Sequence, residues 1–98
     1  MKKFNDIINS VQLTLVDFFA TWCAPCKQMH PILERLKQDL GDNIRIVKLD
    51  VDKNEALANA YRIQSVPTLM LFRSGQIVWR QSGAMSLNNL KAVINQYA

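Results

Sequence analysis

The chain is poor in the residues that build specialised scaffolds. Of its 98 residues, three are glycine, three proline, two cysteine and one histidine. So little glycine and proline, with 49% hydrophobic and 20% charged residues, excludes a disordered or low-complexity chain and describes one ordinary globular domain over 1–98. Two cysteines are too few for the disulfide framework of a small secreted protein, which argues for a reducing compartment, the cytoplasm, and for a working pair. With one histidine and no second Cys-x-x-Cys, the four ligands of a structural zinc site are missing, so no metal is expected. Uncharged runs such as Ser10 to Val16, Phe18 to Cys26 and Ile63 to Phe72 fall short of the roughly 20 apolar residues of a bilayer helix, so no membrane contact is expected. Met1-Lys2-Lys3 has the charge of a secretion signal, but Asn5, Asp6 and Asn9 follow in place of an apolar stretch.

Twelve Lys and Arg against eight Asp and Glu give a net charge of +4. The basic residues are scattered, with no run longer than two and no aromatic platform between them, so nucleic acid is not the expected partner.

Hydrophobic periodicity gives the order α β α β α β β α. Residues 4–8 have helical spacing, and 11–20 are apolar on both sides, as in a strand with both faces covered, apart from Asp17. Residues 26–40 form an amphipathic helix stopped at Gly41, with Pro31 predicting a kink. A strand over 44–51 and a short helix over 54–61 capped by Asp52 or Asn54 follow. Ser74-Gly75 joins strands 68–73 and 76–81 into a hairpin, and Ser86 caps the last helix. Strand–helix alternation implies parallel strands with crossover helices, and the hairpin adds an antiparallel edge.

Trp22-Cys23-Ala24-Pro25-Cys26 lies where a strand ends and a helix begins. The free N–H groups and dipole of a helix N-terminus favour a thiolate, which is the nucleophile. Cys23 is then the exposed member, and Cys26, turned inward, can attack a mixed disulfide on Cys23. A purely stabilising bridge is the weaker reading, because closing so short a loop contributes only roughly 2 kcal/mol. Asp17, six positions before Cys23 in an apolar strand, is expected to be desolvated, with its pKa raised toward neutrality. His30 reads as a solvent-facing helix residue without a role.

The segment Val16-Asp17-Phe18-Phe19-Ala20-Thr21-Trp22-Cys23-Ala24-Pro25-Cys26-Lys27 resembles the active-site segment of the thioredoxin family. Pro31, Lys48-Leu49-Asp50-Val51-Asp52, Ser65-Val66-Pro67-Thr68, Gly75 and Gly83 extend the likeness over nearly the whole chain. The resemblance implies a thioredoxin-like three-layer α/β/α sandwich. Because the family's first strand finds too few residues here, the expected sheet is mixed and four-stranded, flanked by four helices. It also implies a protein-disulfide reductase that donates electrons to target proteins and maintains redox balance, as a monomer with no bound cofactor. Its partners would be diverse disulfide-containing proteins and thioredoxin reductase, the NADPH-dependent flavoenzyme that recharges the Cys23–Cys26 pair. Asp17 would accept the Cys26 proton through water, with Lys48 as its charge partner.

By base rates alone the Val66-Pro67 bond is trans. The resemblance makes it cis, with Pro67 beside the cysteines and the Val66 backbone open to an extended substrate. Trp22, Ala24, Pro25, Val66, Pro67, Gly83 and Ala84 would form a flat apolar rim for many substrates. Ala24 departs from the family's usual Gly and Phe19 from a frequent Trp. The absence of His between the cysteines favours a reductant. Two alternatives are an oxidase or isomerase of the same fold in an oxidising compartment, and a module that docks partners on the rim without turnover.

Overall fold

The computed structural model describes residues 2–98, the side chain of residue 2 excepted. Its elements in chain order are α1 (Lys2–Ile8), β1 (Thr14–Phe19), α2 (Ala24–Leu40), β2 (Arg45–Asp50), α3 (Glu55–Ala60), β3 (Thr68–Arg73), β4 (Gln76–Ser82) and α4 (Leu87–Tyr97). A single 3₁₀ turn, Gly41–Asn43, separates α2 from β2. The eight elements are those read from the sequence, and they build the expected α/β/α sandwich around a mixed four-stranded sheet.

The strand order is β2-β1-β3-β4. β1 pairs in parallel with β2, Asp17 opposite Lys48, and antiparallel with β3, Thr14 opposite Phe72. Antiparallel pairing thus begins at the centre of the sheet, not only at the hairpin edge. The β3–β4 ladder carries an irregularity between Leu71 and Phe72. Ser74 and Gly75 both have positive φ (52° and 80°), the backbone of a tight hairpin turn whose twist matches that of its strands.

Alternation along β1 divides the core. Leu13 and Leu15 pack with Leu69 and Leu71 against Met29, Leu33 and Leu36 of α2 and Leu90 and Ile94 of α4. Val16 and Phe18, on the other face, pack with Met70 and Phe72 against Phe4, Ile8 and Leu57. Phe4, Phe72 and Tyr61 meet edge to face at 5.7–5.8 Å, filling that layer with rings.

Several boundaries differ from the sequence reading for identifiable reasons. Val11 is 85% exposed and outside β1, because Ser10 and Ile8 offer their carbonyls to the Ser74 and Gly75 amides, which holds this stretch as a loop under the hairpin. α2 begins at Ala24 and continues through Pro31 as one helix. Asn54 is the N-cap residue of α3 without capping it; its Nδ2 donates to the Asp50 carbonyl. Ser86 does cap α4, its hydroxyl accepting from the Asn89 amide at 3.1 Å.

Candidate active site

The reactive residues gather at the end of β1. The Cys23 side chain occupies the N-cap position of α2, its Sγ accepting from the Cys26 amide at 3.1 Å, and Pro25 sits in the first turn, where a missing N–H costs nothing. Cys23 and Cys26 are joined in a disulfide. Cys26 has no exposure and Cys23 only 4%, so Cys23 is far less open than its place in the sequence suggests. Ala20, Phe19, Val51 and Val66 close around the pair.

The Val66–Pro67 peptide is cis. The Val66 carbonyl oxygen lies 3.6 Å from Cys23 Sγ. The loop is pinned from below: Thr68 Oγ1 donates to the Ser65 carbonyl at 2.7 Å, and the Gly83 amide donates to the Pro67 carbonyl at 2.8 Å. Gly83 holds φ at +99°, a conformation that glycine adopts freely. This bond brings the β4–α4 corner, with Gly83 and the exposed Ala84, to the cis-proline loop.

Trp22 is 70% exposed, and its Nε1 donates to Asp52 Oδ2 at 3.0 Å. Trp22 and Val66 share a shallow hollow of about 140 Å³ with Val51, Ile63, Gln64 and Ser65. Ala24 and Pro25 are exposed beside it. Pro67 is buried, so it supports the surface and forms no part of the open rim, contrary to expectation; its carbonyl is held by the Gly83 amide and it leads directly into the buried strand β3.

Asp17 is fully buried, and neither carboxylate oxygen has a hydrogen-bond partner among the described residues. Burial pushes its pKa from 3.8 up to about 6, and the positive charge of Lys48 pulls it partly back. Lys48 lies opposite Asp17 in the parallel ladder and points to the same face, yet the two do not close into an ion pair. The attraction therefore acts at a distance through the protein. Asp17 shares its face of β1 with Phe19, which lies against the cysteines.

Two neighbours escaped the sequence reading. Asp52, read from the sequence as a candidate helix cap, instead anchors the Trp22 indole. His30 stands with its ring edge-on to Phe19 at 5.4 Å and its Nδ1 buried without a partner, so it is not simply a solvent-facing residue. The described residues contain no cluster of His, Cys, Asp and Glu able to hold a metal ion, and none of their helices is long and apolar enough to cross a membrane.

Comparison with known proteins agrees with this geometry. The thioredoxin family profile matches residues 1–96. Thioredoxin of Bacillus subtilis is 40% identical over 85 residues, covering 87% of this chain and 82% of the relative. A chloroplastic thioredoxin Y of rice is 42% identical over 89 residues, or 90% of this chain, which spans about half (53%) of that protein. Among solved structures, a mutant thioredoxin of Halobacterium salinarum superposes with a TM-score of 0.90 at 36% identity, covering 99% of this chain and 84% of that one. A second, described as showing thiol resolution in a yeast mitochondrial peroxiredoxin through glutathione and thioredoxin systems, gives 0.89 at 32% identity, covering 98% and 89%. These relatives and the Cys23–Cys26 pair support a thiol–disulfide reductase function. A helix-capping cysteine bridged to its third neighbour beside a cis-proline loop, in a profile that spans nearly every residue, places the chain in the thioredoxin family.

Proposed function

We propose that the chain reduces protein disulfides by dithiol–disulfide exchange, with Cys23 as nucleophile and Cys26 as resolving thiol. The observation that carries this is the position of Cys23 Sγ, at the N-cap of α2, bonded to the Cys26 amide and 3.6 Å from the Val66 carbonyl. In the reduced protein the Cys23 thiolate attacks one sulfur of a target disulfide. A mixed disulfide forms, and the other target sulfur leaves as a thiolate that takes a proton from solvent. Cys26, deprotonated by the Asp17 carboxylate through water, then attacks Cys23 Sγ. The second target sulfur leaves and is protonated in turn, so two electrons and two protons pass to the target while the Cys23–Cys26 bridge forms. With a pKa of about 6, Asp17 is about ten parts ionised to one protonated at pH 7, which suits an acceptor that must also give its proton back.

Trp22, Ala24, Pro25, Val66, Gly83 and Ala84 form the substrate surface in this reading. The Val66 backbone pairs with an extended target segment, and Pro67 positions that backbone from beneath. The structural neighbour described through thiol resolution in a peroxiredoxin by glutathione and thioredoxin systems supports disulfide-bearing proteins as targets. Thioredoxin reductase, carrying flavin and drawing on NADPH, recharges the pair; the chain works as a monomer in a reducing compartment, the cytoplasm, in electron transport and redox homeostasis. Exchange with a protein disulfide in excess dithiol tests the central claim. Cys23→Ser is expected to abolish turnover, and pre-reduced Cys26→Ser, mixed with the target after the dithiol is removed, to accumulate a covalent mixed disulfide visible by mass. Full activity in a protein lacking both thiols would refute it. Equilibration in graded dithiol/disulfide buffers tests the direction: a reductant has a potential near roughly −270 mV, an oxidant one near −120 mV.

A further inference from the structure

β2 is the edge of the sheet, and its outer side is open over a short, defined window. The Arg45 and Val51 amides donate to Leu13 and Phe19 at 2.9 Å, so the odd residues of this strand face β1. In a parallel ladder the intervening residues, Ile46, Lys48 and Asp50, then direct both N–H and C=O away from the sheet. The window is closed at each end. Lys37 Nζ donates to the Ile44 carbonyl at 2.7 Å, and the Asp50 carbonyl accepts from the Lys53 amide and Asn54 Nδ2. Both polar groups of Ile46, both of Lys48, and the Asp50 amide lack a strand partner among the described residues.

A hollow of about 470 Å³ opens beside this window, on the α1/α3 face. Its floor is apolar: Phe4, Ile7, Val47, Leu49 and Leu57. Lys3 and Lys53 stand at its margin, with Glu55 as its one acidic residue, and Arg45 and Lys48 are exposed along the strand. Free strand polarity, an apolar hollow in register with it, and a mostly basic margin occur together along the outer edge of β2, whose end leads through Val51 and Asp52 to the Cys23 surface.

We propose that the β2 edge binds an extended, acidic segment of a partner protein as an added antiparallel strand. Visitor residues opposite Ile46 and Lys48 each exchange two backbone hydrogen bonds, and the residue opposite Asp50 accepts from its amide, five in all. The residues opposite Val47 and Leu49 are apolar and lie over the hollow, while an acidic residue opposite Lys48 and another opposite Arg45 meet the positive charges. A second copy of this chain is a poor occupant, since it would bring two margins rich in Lys and Arg together. The same lysines that discourage self-pairing at an edge select an acidic visitor. This binding uses neither the Cys23 nor the Cys26 thiol.

The test uses the oxidised, ¹⁵N-labelled protein and a blocked peptide, Gly-Val-Glu-Val-Thr-Glu-Gly, whose first Glu falls opposite Lys48. Saturable shifts and at least tenfold slower amide exchange at Ile46, Lys48 and Asp50 are expected. N-methylation of that Glu, or exchange of both Glu for Lys, is expected to weaken binding at least tenfold, and Lys53→Glu or Lys3→Glu in the protein severalfold. Three outcomes overturn the proposal: no shifts at millimolar peptide, shifts confined to Trp22 and Val66, or equal binding of the lysine peptide. A doubled sedimentation mass of the free protein, with the Ile46 and Lys48 amides already protected, also overturns it by assigning the edge to a second copy.

Discussion

Asp17→Asn separates the thermodynamic role of the buried carboxylate from its chemical one. In the unfolded chain Asp17 titrates at its ordinary 3.8, and in the folded protein at about 6. Between these values the folded state binds more protons than the unfolded one, so this group makes stability fall as pH rises through that window. The interval corresponds to about 3 kcal/mol, with the full penalty present above pH 6 and none below the unfolded value. Because Asn does not ionise, the variant escapes this slope. Its stability relative to the parent is expected to grow by about 2–3 kcal/mol from pH 3.5 to pH 7.5. With a urea m value of about 1–3 kcal/mol/M, the relative midpoint moves by about 0.7–3 M. Urea unfolding of the oxidised proteins at a series of pH values provides the measurement. Disulfide reduction by the same variant is expected to slow severalfold without being abolished, with its pH dependence near 6 lost. A stability difference that stays flat across the series would refute the assignment of a desolvated, ionising carboxylate. An unchanged rate profile would refute its part in proton transfer.

Removing the distant cation tests the opposing influence: Lys48→Met is expected to push the Asp17 pKa further up, moving the acid limb of the rate–pH profile to higher pH, and an unmoved limb would count against the coupling. At α4, Ser86→Ala removes the oxygen that accepts the Asn89 amide and is expected to cost about 1 kcal/mol by urea unfolding, with no change in reduction rate.

What was legible in the sequence was what depends on near neighbours. Period-2 and period-3.6 patterns located all eight elements, and the Trp22–Cys26 segment identified the N-cap of a helix because the chemistry and the capping use adjacent residues. Asp17 was recognisable as buried from its apolar flanks alone. What was not legible depends on distant segments. The strand was read as starting at Val11 because nothing local reveals that the Ser74-Gly75 turn claims the Ile8 and Ser10 carbonyls. Asn54 looked like a cap, but the Asp50 carbonyl captured its side chain. Pro67 was placed on the open rim because nothing local shows that its carbonyl is tied to the Gly83 amide and its ring is buried in the fold. The burial of His30 Nδ1 depends on Phe19, across the helix–sheet interface.

The central position of β1 shapes how the protein comes off the ribosome. This strand is made early, is buried almost throughout, and is flanked in the native sheet by β2 and β3. Its antiparallel partner spans Thr68–Arg73, so Thr14 waits for Phe72 while most of the chain is translated. During that interval Leu15, Val16 and Phe18 have no complete shelter, and such long-range pairing is both slow and exposed to aggregation. The strand that leads into Cys23 is therefore synthesised before the partner that completes its enclosure, and its apolar residues stay without that partner until the β3–β4 hairpin emerges.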